Sequence, residues 1–142
     1  MDNGEWTMRV TSVTRESLAM QNNVILEKSF DFAVRIVRLY RYLAKTNNEF
    51  VLSKQLLRSG TSIGANVTEA NEAFSRNEFA YKMSIALKEC SESSYWIELL
   101  YRTDYLTEQQ YSSVMSDCVE LKRLLTVIVK TAKMNLKPGG GD

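Results

Sequence analysis

Three observations in this sequence predict an all-α fold, specifically an antiparallel up-down four-helix bundle. The 142-residue chain has a single proline, at position 138, and a proline-free interior favours long helices. Apolar residues recur at spacings of three and four along four successive segments, as in helices with one buried face. The connections between these segments are short, which favours antiparallel neighbours. The length suits one domain with its own core.

The first helix is expected over residues 24–45. One broad apolar face contains the following residues: Phe32, Ala33, Ile36, Val37, Leu39, Tyr40 and Leu43. Arg35 and Lys28 lie at the border of this face. Residues 1–23 are polar without a sustained period, so we expect a flexible arm there. The tail at residues 137–142 is expected to be disordered, which leaves the bundle to residues 24–136.

The second helix is expected to begin at Leu52 or Ser53 and to end near Phe74. Its packing seam has helical spacing throughout: Leu56, Gly60, Ile63, Val67, Ala70 and Phe74. Residues 59–66 have poor helix propensity, because each glycine costs about 1 kcal/mol relative to alanine. A loop over residues 59–66 is therefore the alternative. If the segment is helical, its small residues allow another helix to approach closely.

Two capping-box patterns mark the starts of the third and fourth helices. Ser75 is followed by Glu78, and Thr107 is followed by Gln110. These helices are expected to end near residues 102 and 135. The third helix carries a second apolar strip beside its core seam: Tyr81, Ile85, Tyr95, Trp96 and Leu99. Because one strip is enough for an intramolecular core, the second predicts burial against another subunit.

The residue types absent from the chain exclude several classes of enzyme. Histidine does not occur, so Ser-His and Cys-His nucleophiles, histidine zinc sites and Glu-x-x-His di-iron sites are excluded. Glu89, Glu92 and Glu98 come nearest to a metal or acid–base cluster, but no second convergent cluster supports them. We therefore expect no cofactor, no metal and no catalytic residue, in a protein that is not an enzyme.

Cellular location and cysteine chemistry follow from similar arguments. No run of 18 apolar residues occurs, so no membrane span is expected. The N-terminus has no basic patch followed by an apolar core, so the cytoplasm is the expected location. Cys90 and Cys118 fall on the apolar sides of predicted helices and are expected to be buried reduced thiols. A disulfide or a metal pair is the alternative.

Positive charge is concentrated in two segments, although the net charge is only +1. Residues 27–45 carry net +3 and residues 121–142 carry net +4, whereas residues 46–120 carry net −5. One surface of the first helix bears a basic stripe: Arg35, Arg38, Arg41 and Lys45. Cations on the last helix are expected to extend it, since first and last helices are neighbours: Lys122, Arg123, Lys130, Lys133 and Lys137. Such a surface attracts phosphates. The alternative is a solvated face with cations near helix C-termini.

Four stretches carry a resemblance to a known family. They are LSKQLLRS (52–59), SIGANVTEA (62–70), IALKECSE (85–92) and YWIELL (95–100), with Ser75 and Phe79 between them. Together they resemble the four-helix bundle proteins encoded by intervening sequences in bacterial 23S rRNA genes. More distantly, the chain is similar to the accessory protein of diversity-generating retroelements. The resemblance covers roughly residues 28–134. Asn66 and Glu69 stand in the family's Asn-x-x-Glu position, while Ala70 stands where many relatives have glycine.

The resemblance implies a ring of bundles, a homopentamer, that binds RNA or a nucleic-acid-handling protein. It implies no established biochemical activity. From the residues themselves, Asn66 and Glu69 are either ligands for a partner or an interhelical hydrogen-bond pair, with Lys82, Ser91 or Glu89 as partners. The leading hypothesis is a homo-oligomer that binds RNA or DNA through basic faces. The alternative is a protein-binding adaptor or scaffold ring without direct nucleic-acid contact.

Overall fold

The computed structural model describes the backbone of residues 3–136 and the side chains of residue 16 and residues 19–136. It contains four helices, α1 (Asn3–Asn47), α2 (Leu52–Asn71), α3 (Arg76–Arg102) and α4 (Glu108–Met134), and no strand within those residues. Each helix packs on the next and α4 packs back on α1. The helices therefore form a square with α1 and α3 on one diagonal, which confirms the predicted up-down bundle.

Helix α1 begins at Asn3, whereas the sequence predicted a flexible arm over residues 1–23 and a helix from residue 24. That prediction of the helix start is wrong. Extending an existing helix gains one hydrogen bond for each residue fixed, and no proline interrupts this segment. The core nevertheless starts later, because Ala19 and Met20 are exposed and Ile25 is fully buried. The tail predicted to be disordered, residues 137–142, lies outside the described residues.

The core runs along the inner faces of all four helices. Its largest buried side chains come from each helix in turn: Ile25, Ile36, Leu43, Leu56, Ile63, Met83, Ile97, Leu100, Leu121 and Leu125. Burying each such side chain stabilises the fold by about 1.5–3 kcal/mol. Within the described part of the chain, no helix is long and apolar enough to cross a membrane.

Helix α2 is continuous through residues 59–66, so the alternative of a loop there is wrong. A Cβ atom added to Gly60 would lie 3.0 Å from both Cγ1 and Cγ2 of Ile36. One added to Gly64 would lie 3.3 Å from the backbone oxygen of Ser29. The two glycines thus let α1 and α2 approach closely, as predicted, and this packing offsets their poor helix propensity.

The caps of α3 and α4 are only partly those that the sequence predicted. The full capping box forms at Thr107 and Gln110, with N–H···O distances of 2.9 and 3.1 Å. At α3, the Ser75 hydroxyl accepts from the Glu78 N–H at 3.0 Å. The Glu78 carboxylate, however, accepts from the Phe74 N–H rather than from that of Ser75. The reciprocal half of this predicted box is therefore shifted by one residue.

A buried carboxylate caps α2 from upstream. Glu49 accepts from the N–H groups of Val51, Leu52 and Ser53 at 3.0, 2.7 and 2.8 Å, and it is only 7% exposed. Burial alone raises the pKa of Glu49, but the hydrogen bonds from these backbone amides and from Ser53 outweigh burial and lower it. The ionised form is thus the one that the fold stabilises.

Substituting Gly60→Ala tests the close contact between α1 and α2. Overpacking costs about 1–3 kcal/mol and better helix propensity returns about 1 kcal/mol, so we expect the free energy of unfolding to fall by up to about 2 kcal/mol. Urea unfolding measures this change. In an Ile36→Ala background the two crowding Cγ atoms are gone, and the same substitution should become neutral or stabilising. An equal loss in both backgrounds would show that Ile36 is not the obstacle.

The Glu49 cap predicts a pH dependence of stability. Because the folded-state pKa lies below the unfolded value of 4.5, ionised Glu49 stabilises the fold above that value. The contribution disappears as pH falls through the lowered pKa. At neutral pH, Glu49→Gln should lower the free energy of unfolding by about 1 kcal/mol. In acid, the difference in this free energy between variant and wild type should disappear. Glu72→Gln, at the exposed carboxylate just after the other end of α2, is the control. A difference in the free energy of unfolding between Glu49→Gln and the wild type that stays constant with pH would contradict this account.

Candidate nucleic-acid interface

Arg35 and Lys28 of α1 form ion pairs with α4. We call these two ion pairs the clasp. The Arg35 guanidinium donates to the carboxylate of Asp117 at 2.6 Å, and to the backbone and hydroxyl oxygens of Ser113 at 3.2 and 2.5 Å. Lys28 pairs with Glu120 at 3.2 Å. The border positions of both cations were the signal in the sequence that they reach a neighbouring helix. Arg35, predicted to contact phosphate, is therefore occupied by an intramolecular partner.

These contacts show that the exposed cations of α1 and those of α4 lie at opposite ends of the bundle. Since α1 and α4 are antiparallel and Arg35 lies beside Ser113, residues after Arg35 lie beside the start of α4. The cations of α4 follow Leu121 and lie towards the other end. At 1.5 Å per residue, the middles of the two groups are about 30 Å apart. The prediction that the α4 cations extend the α1 stripe is therefore wrong, because the antiparallel register separates them.

Four cations on α4 form the larger group, which we call the α4 basic surface: Lys122, Arg123, Lys130 and Lys133. All four are exposed, and none forms an ion pair with a described residue. No carboxylate occurs from Leu121 to Leu136. The surface thus presents four positive charges that no described side chain neutralises.

The remaining cations of α1 form a smaller group, which we call the α1 basic end: Arg38, Arg41 and Lys45. They are exposed and also lack ion pairs with described residues. Two exposed carboxylates, Asp104 and Glu108, lie near the start of α4, towards the same end of the bundle. The local field for a polyanion is consequently weaker here than at the α4 basic surface.

A cleft of about 680 Å³ lies towards the same end of the bundle as the α4 basic surface, but none of the four cations lines it. It lies between the end of α4 and the α2–α3 connection, and its lining mixes aromatic and polar groups: Asn22, Phe74, Arg76, Phe79, Thr131 and Asn135. Phe74 is 99% exposed, although the sequence placed it in the seam of the second helix. That prediction fails because α2 ends at Asn71, which leaves Phe74 in the connection.

The carboxylates considered for metal or acid–base chemistry are engaged in ion pairs. Arg58 pairs with Glu89 at 3.2 Å and also with Glu92, which accepts from the Trp96 ring N–H at 3.0 Å. The Trp96 N–H, helped by Arg58, lowers the pKa of Glu92 against the opposing effect of burial. Glu98 pairs with Arg102 one turn along its own helix. Among the described residues, no cluster of three or more metal-binding side chains forms.

The two family-motif residues make separate contacts. Asn66 donates to the backbone oxygen of Ser62 on its own helix at 2.9 Å. Glu69 pairs with Lys82 across the α2–α3 interface at 3.7 Å, one of the partners that the sequence suggested. The two side chains thus do not contact one common group. That either residue also binds a partner stays a prediction.

The two thiols meet in the core between α3 and α4. Cys90 and Cys118 are fully buried, with their sulfur atoms 3.8 Å apart and no bond between them, so the predicted burial of both thiols is confirmed. The hydrogen bond to Cys90, together with burial, raises the pKa of the Cys118 thiol. The Cys118 thiol is therefore protonated at neutral pH.

Apolar side chains are exposed on two outer faces of the bundle. Tyr81 and Tyr95 of the predicted second strip are 63% and 60% exposed. Ile85, Trp96 and Leu99 are half-buried, and Trp96 also packs on the core. We call these five residues the α3 strip. The sequence placed Val37 on the core face, which is wrong because this half-buried side chain does not pack on the core cluster. Val37 belongs instead, with Phe30 and Val34, to a second outer face on α1 that was not predicted. Its spacing of four and three, opposite Phe32 and Ile36, was the available signal.

Comparison with known proteins identifies relatives of this bundle. Residues 21–127 match the family model described as 23S rRNA-intervening sequence protein. A crystal structure of a protein with unknown function, from the S23 ribosomal protein family of Bacteroides thetaiotaomicron VPI-5482, superposes with a TM-score of 0.76 and 55% sequence identity. The match covers 78% of this chain and 98% of that chain. No curated protein sequence matches.

Proposed function

The chain belongs to the family of 23S rRNA-intervening sequence proteins, and we propose that it is a non-catalytic bundle that binds RNA through the α4 basic surface. The observation that carries this proposal is the set of four exposed cations, without an ion pair to any described residue, on a stretch of α4 without carboxylates. Phosphate contacts by lysine and arginine supply most of the affinity of such surfaces for nucleic acid. The family's description makes an rRNA fragment the appropriate first probe.

The cleft at this end of the bundle favours a single-stranded segment or a loop over a regular duplex. Phe74 offers a fully exposed aromatic ring at the rim of the cleft, and Asn22 and Asn135 offer amide groups inside it. Unstacked bases pack on aromatic rings and hydrogen-bond through their edges, whereas bases inside a duplex cannot. In this proposal the cations hold the phosphates, and Phe74, on the other side of α4 at the same end of the bundle, stacks on a base of the same strand.

We also propose that copies of the chain associate through the α3 strip. Exposed tyrosines at positions 81 and 95, with Ile85 and Leu99 between and beyond them, form an apolar face on a helix that already fills its share of the core. Such faces are typical of protein interfaces. The family resemblance makes five the subunit number to test. The cytoplasm stays the proposed location.

Reversing the charge of Lys130 and Lys133 tests the RNA proposal. Lys130→Glu/Lys133→Glu should weaken binding to a labelled single-stranded rRNA fragment roughly 100-fold at low salt, because two phosphate contacts become repulsive. Fluorescence anisotropy measures the affinity. For the wild type, log K should fall with log[salt] with a slope of about −2 to −3, which corresponds to about four phosphate contacts. Circular dichroism should show unchanged helical content.

Two further double variants serve as controls with the same charge change. Lys45→Glu/Lys54→Glu alters exposed lysines far from the α4 basic surface and should leave binding nearly unchanged. Arg38→Glu/Arg41→Glu tests the α1 basic end, with Arg35 kept because it holds the clasp. If this variant abolishes binding while Lys130→Glu/Lys133→Glu binds normally, the proposed surface is wrong. If the wild type binds no RNA at low salt, the adaptor hypothesis takes its place.

A further inference from the structure

The two cysteines of the chain lie together as a pair, which neither the α4 basic surface nor the proposed self-association uses. Cys90 of α3 and Cys118 of α4 are the only cysteines in the sequence, and they are 0% and 1% exposed. Their sulfur atoms are 3.8 Å apart, and each sulfur lies 3.4 Å from the backbone oxygen of the other cysteine. The two residues are therefore neighbours through their backbones as well as through their side chains.

We propose that a peroxide oxidises Cys90 and Cys118 to a reversible disulfide, which joins α3 covalently to α4. A disulfide requires two cysteines whose backbones are close and whose sulfur atoms can meet without a large movement of either helix. The contact between the two sulfur atoms and the approach of each sulfur to the opposite backbone meet both requirements. Rotation of the two side chains, with a small approach of the helices, is then sufficient to form the bond.

The reaction balances with one molecule of hydrogen peroxide. The Cys90 sulfur attacks one peroxide oxygen, the O–O bond breaks, and a sulfenic acid and one water molecule form. The Cys118 sulfur then attacks the Cys90 sulfur, the S–O bond breaks, and the departing hydroxide takes up the Cys118 proton as a second water molecule. The two thiols thus give up two electrons and two protons, and the peroxide accepts both. A dithiol reductant reverses the reaction by thiol–disulfide exchange.

The surroundings of the two thiols decide which of them reacts first. The hydrogen bond from the Cys118 thiol lowers the pKa of Cys90 against the opposing effect of burial, and the positive charge of Lys122 acts in the same direction. The same hydrogen bond raises the pKa of Cys118. Because the thiolate is the form that attacks an oxidant, Cys90 is the residue that reacts with peroxide. Cys118 is the residue that completes the disulfide.

Burial of the pair determines which oxidant reacts and how fast. Because both residues are closed off from solvent, the reaction depends on local movements that open the contact between α3 and α4. Hydrogen peroxide is uncharged and small, whereas an aromatic disulfide reagent with two carboxylates is large and charged. We therefore expect peroxide to oxidise the folded protein slowly, and the aromatic reagent to react only after unfolding. Once formed, the bond joins positions 28 residues apart, which restricts the unfolded chain and stabilises the fold.

Treatment of the full-length protein with hydrogen peroxide, followed by alkylation and peptide mapping, tests the proposal. We expect a peptide pair joined through Cys90 and Cys118, no cross-link between chains on a non-reducing gel, and complete reversal by dithiothreitol. The melting temperature of the oxidised protein should rise by about 5–10 °C, because the bond closes a long loop. Cys118→Ala, treated in the same way, is the matched control. It should keep its melting temperature and carry a sulfenic acid at Cys90, which a dimedone probe labels.

Three results would overturn the proposal. Two free thiols after prolonged peroxide treatment of the folded protein would show that the pair does not form a disulfide. Cross-links between chains would show that the cysteines react only in unfolded molecules. A disulfide that leaves the melting temperature unchanged or lowers it would contradict the stabilising bond between α3 and α4. Exposed Met20 and Met134 can also be oxidised, but they are present in Cys118→Ala as well, so the comparison of the two proteins removes their effect. Cys118→Ser replaces the alanine variant if the latter does not fold.

Discussion

The close approach of α1 and α2 at Gly60 and Gly64 is the constraint on which the rest of this structure depends. Only a residue without a side chain leaves room for Ile36 and for the Ser29 backbone at these two positions. The contact sets the relative height of the first two helices, and the short connections then set the heights of α3 and α4. The surface properties of the bundle follow from this register, because it decides which exposed residues become neighbours.

The register of the helices gives different surroundings to cations that look alike in the sequence. Arg35 lies against Asp117 and becomes part of the clasp between α1 and α4, whereas Arg38 and Arg41 lie beyond it and stay exposed. The cations of α4 lie towards the far end, which also holds a cleft with an exposed aromatic ring. A nearly neutral protein thus acquires one concentrated basic surface, and its apolar outer faces fall on the other diagonal. Polyanion binding and self-association therefore use different parts of the molecule.

How much the sequence predicts depends on the range of the interaction. The four helices, the Thr107 cap and the role of Gly60 were predicted correctly, because periodicity, local hydrogen bonds and side-chain size determine them. The start of α1 was missed since a polar segment can extend an existing helix at little cost. The separation of the two basic groups was missed because it depends on the antiparallel register. The pattern of a single sequence does not show which positions of two distant helices lie side by side.

Chemical footprinting of lysines tests the central claim most directly, because one experiment reads every surface of the bundle. The protein is acetylated with and without a saturating single-stranded rRNA fragment, and each lysine is quantified by mass spectrometry. We expect RNA to protect Lys122, Lys130 and Lys133, and to leave Lys45 and Lys54 as reactive as in the free protein. Protection of Lys45 with full reactivity at Lys130 and Lys133 would contradict the account, since RNA would then lie at the opposite end of the bundle.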